Sequence, residues 1–162
     1  MLAGAASALS TFFAEKRPMT SFNFDVYILV GHALPILAGF SECTGPMMSS
    51  EPKSVYEGAN NARPYHLPGK LSYNTITLKR GVTDSRSLWL WFYAAVNSVA
   101  VAGVRLPSDV IIQMNSADRS ETVRYLLLYA QPVRIKAPDM NATQGSVAIE
   151  EIDLKYEMLF RL

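Results

Sequence analysis

The residues of this chain whose types could do chemistry are two histidines, one cysteine, a Gly-Lys step and an adjacent pair of acids. None of them stands in a reactive spacing. His32 and His66 are far apart and belong to no HExxH pattern or Cys/His pair with zinc spacing, so both read as turn residues rather than metal ligands. Gly69–Lys70 looks like the end of a phosphate-binding loop, but the position five residues before Gly69 is Pro64, not glycine, and there is no nucleophile elbow of the G-x-S-x-G type. Cys43 sits in GFSECTG with no histidine beside it and reads as a packed thiol. Glu150 and Glu151 are neighbours on a predicted strand, so their side chains leave on opposite faces and cannot act as a pair. The expectation is no catalytic residue, no cofactor and no metal.

The elements that would have to position such residues carry more information. The 162 residues suit one domain with room for a core. They are 49% hydrophobic and 18% charged, with 15 basic and 14 acidic residues for a formal net charge of +1. That balance gives no general attraction to nucleic acid or anionic membrane. One cysteine excludes an internal disulfide framework. Lys16 and Arg17 follow the small apolar N-terminal stretch rather than precede it, which argues against a signal peptide. The uncharged run Leu88–Val104 contains Asn97, Ser98 and Gly103 and reads as a buried helix running into a turn, with no stable membrane association.

Along the chain, residues 1–20 form a weakly patterned extension ahead of a single domain over 21–162. SFNFDVYILV alternates, with Phe22, Phe24, Val26, Ile28 and Val30 on one face, which predicts a half-buried strand. Ile36–Glu42 is a second strand of the same hairpin. Thr44–Lys70, rich in proline and glycine, reads as an unusually long irregular loop, and such loops are usually functional or mobile. Leu71–Lys79 alternates as a strand ended by Arg80–Gly81. Asp84 or Ser85 can cap the helix that follows, in which Leu88, Trp91, Phe92, Ala95 and Val99 form a core stripe widened by Trp89 and Tyr93. An element this apolar on several sides needs burial by its own fold or by a neighbour.

Pro107–Asn115 and Glu121–Leu128 predict two further strands, and Tyr129–Lys136 an edge or bent strand because Pro132 cannot donate to a ladder. The last segment, SVAIEEIDLKYEMLFRL, reads as one long strand whose alternation slips at Glu150–Glu151, as a β-bulge would allow. Beyond the slip Glu151, Asp153, Lys155 and Glu157 form a charged outer face. The fold class is mainly β: an antiparallel β-sandwich or barrel of about seven strands with one central helix.

Four blocks in order, F-x-F-x-V-x-I, AGFSECTG, LPGKLSYNTITLKRGVTDSRSLWLW and SVAIEEIDLKYE, closely resemble the tail-tube proteins of contractile phages and of phage-derived contractile injection systems. The block Leu67–Trp91 is the specific part, and the resemblance spans about residues 22–158. It implies a β-barrel-like protomer that closes into homo-hexameric rings. Such rings stack into the inner tube of a tail-like particle, virion or injection system, assembled in the producing cell's cytoplasm. Sheath, baseplate and cap proteins are the implied partners, with cargo protein or DNA in the lumen bound without sequence specificity. Where relatives often carry Trp, this chain has Tyr125, and the extension 1–20 exceeds their usual start; both fit either a divergent or a baseplate- or cap-end tube subunit.

Under that resemblance Tyr56, Arg63 and Leu67 on the Thr44–Lys70 segment, and Trp89, Trp91 and Phe92 on the helix, are candidate inter-subunit contacts. Glu151, Asp153, Lys155 and Glu157 are candidates for the lumen wall, as a mildly negative collar. The alternative is a monomeric β-barrel binding module or enzyme with a pocket under the Thr44–Lys70 loop.

Overall fold

The computed structural model of the chain describes residues 23–31, 36–57, 60–103, 105, 106, 108–117, 122–140, 143, 145 and 147–162. The extension 1–20 and His32 lie outside them. Strand β1 (Phe24–Val30) alternates as its sequence requires, with Val26 and Ile28 fully buried. It pairs antiparallel with β2 (Ile36–Ala38) on one side and β9 (Ser108–Asn115) on the other. Strand β10 (Thr122–Leu128) continues from β9, and β13 (Met158–Arg161) from β10. These five make one antiparallel sheet in the order β13-β10-β9-β1-β2. A second sheet holds β3 (Glu42–Cys43), β8 (Ile76–Gly81), β11 (Gln131–Lys136) and β12 (Ile149–Lys155), in the order β11-β12-β8-β3, again antiparallel throughout.

The two sheets face each other across one core. Val26, Ile28, Val110, Ile112 and Leu127 come from the first; Ile76, Leu78, Ile152 and Leu154 come from the second. Helix α1 (Ser87–Ala102) adds Leu88 and Trp91 to that core and packs against β11. The Trp91 indole N–H donates to the Ser108 hydroxyl at 3.1 Å, so its one polar atom is satisfied where the ring is buried. The helix starts slightly later than its cap candidates: the first turn closes from Leu90 N–H to the Arg86 carbonyl. It stops at Gly103, whose φ of +62° is the left-handed conformation a helix C-terminus favours and a side chain resists.

Several expectations need correction. The final segment is two strands, not one. β12 pairs β8 without interruption from Ile149 to Leu154, so there is no bulge at Glu150–Glu151. The alternation seemed to slip because Glu150 points inward, in phase with Ile152, Leu154 and Tyr156. Its charge is matched by Arg80, buried beside it in a direct ion pair. Arg80 also donates to the Ser85 carbonyl at 3.1 Å, and the Trp89 indole N–H reaches the second Glu150 oxygen at 3.1 Å. This knot ties the start of α1 to β8 and β12. After Tyr156 the chain bends and crosses to the other sheet as β13. Likewise Ile36–Glu42 divides between the sheets, as β2 in one and β3 in the other. Tyr129, at φ +55°, makes the crossing between β10 and β11, so the strand expected from Tyr129 begins at Gln131.

The largest correction concerns Thr44–Lys70, which is ordered rather than irregular. Strand β4 (Met48–Ser50) pairs with β7 (Leu71–Tyr73), and β5 (Lys53–Glu57) pairs with β6 (Asn60–Leu67). Together they make a long antiparallel hairpin, interrupted where Pro52 faces Pro68–Gly69. His66 lies on β6, with Nδ1 3.2 Å from the Ser54 hydroxyl, rather than in a turn.

Candidate assembly surfaces

None of the described side chains of the hairpin arm is buried. An isolated two-stranded ribbon is marginal in water, yet this one exposes Met48, Val55, Leu67 and Leu71. Its base is anchored. The buried Tyr156 hydroxyl lies 3.0 Å from the Met47 carbonyl and 2.7 Å from Asn74 Oδ1, sharing its proton between them, and accepts from Met47 N–H at 3.2 Å. Burial raises the Tyr156 pKa and keeps that proton in place. A second close contact explains the glycine of LPGK: a Cβ on Gly69 would stand 1.5 Å from the Glu51 carbonyl oxygen. Only a residue without a side chain lets the two strands approach there. Leu67 is exposed on this arm. Tyr56 and Arg63 fall on β5 and β6, with side chains outside the described residues.

On α1 the aromatic candidates separate. Trp91 is 3% exposed and belongs to the subunit's own core, so it cannot serve as an inter-subunit contact. The helix turns it inward with Leu88 and Ala95. Trp89 and Phe92 are half-buried at the margin. The outward stripe is Leu90, Tyr93 and Val96, at 64%, 55% and 48% exposure; sequence reasoning named only Tyr93 among them, as part of the core stripe's widening.

The outward side of the four-stranded sheet is polar except for Ile149 at one end of β12 and Val133 at the irregularity of β11. Its register puts Lys136, Glu151, Lys79 and Glu42 in one row across the strands. Arg134, Asp153 and Thr77 form the next row. Lys79 meets Glu42 at 2.7 Å, and Arg134 meets Asp153 at 2.6 Å and Glu151 at 3.5 Å. The hydrogen bond and charge of Glu42 raise the Lys79 pKa, and those of Asp153 raise that of Arg134. Partial burial acts to raise the Asp153 pKa, but hydrogen bonds from Arg134 and Thr77 outweigh it and hold the carboxyl below its ordinary value. Glu151, Asp153 and Lys155 therefore share one face as expected, but not as a negative collar, because Lys79, Arg134 and Lys136 lie among them. Glu157 is not on that strand: it sits in the bend before β13, paired with Arg105. The basic partners were out of reach of sequence reasoning, since they come from strands far away in the chain.

The outward face of the five-stranded sheet differs. Tyr27, Ile111, Leu126 and Phe160 stand in one register row, apolar across four strands. Between the sheets, along the free edge of β3, a cleft of about 700 Å³ opens, with Phe24, Ile112, Met114 and Tyr125 on its floor and Cys43 on its rim. The pocket expected under the Thr44–Lys70 segment corresponds to this cleft, which that segment only borders. Burial pushes the Cys43 thiol up to about 11, so it stays protonated at neutral pH and is no activated nucleophile. Among the described residues, no group of three or more His, Cys, Asp or Glu side chains is placed to hold a metal ion, and no helix is long and apolar enough to cross a membrane.

A two-sheet sandwich with an apolar arm, an apolar helix stripe and free sheet edges is a subunit built to be covered by neighbours. The chain belongs to the T4-like virus tail tube protein gp19 family, whose model matches residues 20–159. It is a structural tube subunit. Among solved structures it is similar to a chain of the anti-feeding prophage baseplate (24% identity, TM-score 0.76, covering 91% of this chain and 97% of that one). It is also similar to a chain of the PVC extracellular contractile injection system sheath–tube complex in the extended state (21% identity, TM-score 0.72, covering 94% and 97%), and to one of the anti-feeding prophage cap (19% identity, TM-score 0.71, covering 93% and 94%). These share its fold. No curated protein sequence matches it.

Proposed function

We infer that the chain forms six-membered rings that stack into the inner tube of a contractile tail-like machine. The tube works inside a sheath, is bounded by baseplate and cap proteins, and conducts protein cargo or genome through its bore without catalysis. Assembly takes place in the producing cell's cytoplasm. The observation that carries this reading is the contrast between surfaces. Apolar side chains gather on the arm, on α1 and on the five-stranded sheet, where neighbours must cover them. The four-stranded sheet turns outward a face whose acids and bases are paired with one another. A conduit wall must not hold its cargo, and a charge-paired wall with little apolar surface satisfies that need. Glu151, Asp153 and Lys155 then line the bore. The arm, with Tyr56, Arg63 and Leu67, reaches an adjacent subunit or the next ring, and Trp89 and Phe92 sit at the edge of a subunit contact.

Electron microscopy of the purified protein tests the assembly: rings and tubes are expected, and a monodisperse monomer would overturn the reading. For the bore, a cysteine is placed at Asp153 in a Cys43→Ser background. A bulky thiol reagent should label dissociated subunits quickly and intact tubes slowly. Fast labelling of intact tubes puts this face outside.

A further inference from the structure

The apolar row across the five-stranded sheet and the extension that precedes that sheet are matched in length and in character. We propose that residues 2–16 dock as an amphipathic helix on the outward face of their own subunit's five-stranded sheet, along the row Tyr27, Ile111, Leu126 and Phe160. The proposal goes beyond ring assembly and does not depend on it, since the contact is made within one copy.

The extension is weakly patterned as an alternation but two-sided at helical period. Turned by about 100° per residue, Leu2, Leu9, Phe12 and Phe13 fall within an arc of about 100°, with Ala5 between them. Gly4, Ser7, Ser10, Thr11 and Glu15 fall on the opposite side. Leucine and alanine favour helix, and Pro18 ends one. Such a segment needs an apolar surface to bury its one apolar side. A membrane is the poorer match. An interfacial helix carries Lys and Arg along its polar face, whereas here the basic residues come only at the end, as Lys16 and Arg17.

The five-stranded sheet supplies the surface. Its central outward row is apolar on four strands, and Phe160 is 48% exposed at the β13 end. Leu29 beside Asp109, and Leu128 beside Met158, make the next row. Helix α1 packs against β11, in the other sheet. A helix about 10 Å wide covers the central row and part of the next. Met158 and Leu162, exposed around β13, stay open to other subunits.

Length and direction agree. The strands from β13 to β1 are three spacings apart, about 14 Å, and Leu2 to Phe13 in a helix spans about 16 Å. The described chain begins at Asn23, ahead of β1, so the extension reaches the face from the β1 side. Phe12 and Phe13 then lie over Tyr27 and Ile111, Leu9 over Leu126, and Leu2 towards Phe160. The step back from Tyr27 to Asn23 is about 14 Å of strand, and residues 17–22 can span about 20 Å. That direction also brings Lys16 and Arg17 to the end of the face where β1 carries Asp25, and the signs are complementary.

Thiol labelling tests the docking. Ile111→Cys in a Cys43→Ser background puts a thiol beneath the helix, and labelling is followed on full-length subunits too dilute to form tubes. Leu9→Asp with Phe13→Asp spoils the apolar side of the extension and should speed labelling about tenfold or more. Ser7→Asp with Thr11→Asp, on the polar side, should leave the rate unchanged. Equal rates in all three chains would overturn the proposal. Protection should not vary with protein concentration; protection that grows with concentration assigns the cover to a second copy and overturns it as well. Vesicles of phosphatidylglycerol and phosphatidylcholine should also leave the rate unchanged. If they bind the chain and uncover the thiol, the extension prefers a membrane to the sheet, and the proposal falls. Should Ile111→Cys not fold, Phe160→Cys at the edge of the row takes its place with the same outcomes. All of these readings come from single subunits, so a failure of docking leaves ring assembly standing, and a failure of rings leaves docking standing.

Discussion

The outward faces of the two sheets differ in their central rows, although the rows flanking the apolar one carry Asp25, Gln113 and Arg124 on one side and Asp109 on the other. On the four-stranded sheet Lys136, Glu151, Lys79 and Glu42 run across the strands; on the five-stranded sheet the corresponding row is Tyr27, Ile111, Leu126 and Phe160. Both inner faces supply the apolar core, the four-stranded one with the Arg80–Glu150 pair added, so stability of the subunit does not require the outward difference. A subunit that met only water would gain nothing from an apolar row across four strands. One that meets protein on one side and an open channel on the other needs this asymmetry. The same logic divides neighbouring residues: Glu150 serves the core and Glu151 the outer face, although one peptide bond separates them.

That division gives the largest predicted effect. Glu150→Ala leaves the buried Arg80 without its counter-charge and should cost about 3–5 kcal/mol in chemical denaturation. Glu151→Ala, half-buried on the outer face beside Arg134, should stay within about 1 kcal/mol; equal costs would contradict the division between the two acids. Next comes the arm. Gly69→Ala forces a Cβ into the Glu51 carbonyl, and displacing that backbone should cost about 1–3 kcal/mol. The arm should become protease-sensitive while the sandwich keeps its far-ultraviolet spectrum. On the apolar face, Phe160→Ser removes a half-exposed ring and should cost the monomer about 1 kcal/mol, yet reduce tube formation measured by sedimentation. Loss of monomer fold with no effect on tubes would reverse the reading of that face.

The smallest effect is a pH dependence on the charged face. The Asp153 carboxyl is held below its ordinary 3.8 in the folded state. A lowered pKa means the unfolded chain binds the proton first as pH drops, so the stability Asp153 contributes is fully present above 3.8 and is lost as pH falls through the lower folded value. The unfolding midpoints of wild type and Asp153→Asn should differ at neutral pH and converge in acid. A constant gap would remove Asp153 from the paired row.

Strands with one buried face were legible from period alone: β1, β9 and β10 fall where Val26, Ile28, Val110, Ile112 and Leu127 alternate, and α1 where Leu88, Trp91 and Ala95 repeat. The arm was not, because its described side chains include no buried set to alternate, and its prolines and glycines imitate a loop. Glu150 misled because a buried charge shifts the apparent phase by one residue, and only its partner Arg80, on another strand, restores it. At the candidate surfaces, the acids of β12 were legible from a single strand. Their basic neighbours were not, since the register between β8, β11, β12 and β3 is a property of the folded sheet. Trp91 and Trp89 differ by two residues, a turn of about 200° on a helix, and only the packing decided which one faces the core.

Under the proposed function the charged face is the channel wall. A cryo-EM reconstruction of tubes grown from the purified protein tests it most directly. The account predicts stacked rings with Glu151, Asp153 and Lys155 on the wall of the bore and with the row through Tyr27, Ile111, Leu126 and Phe160 covered by protein. Tubes whose bore is lined by that apolar row, with the charged face turned to the outside, would contradict it.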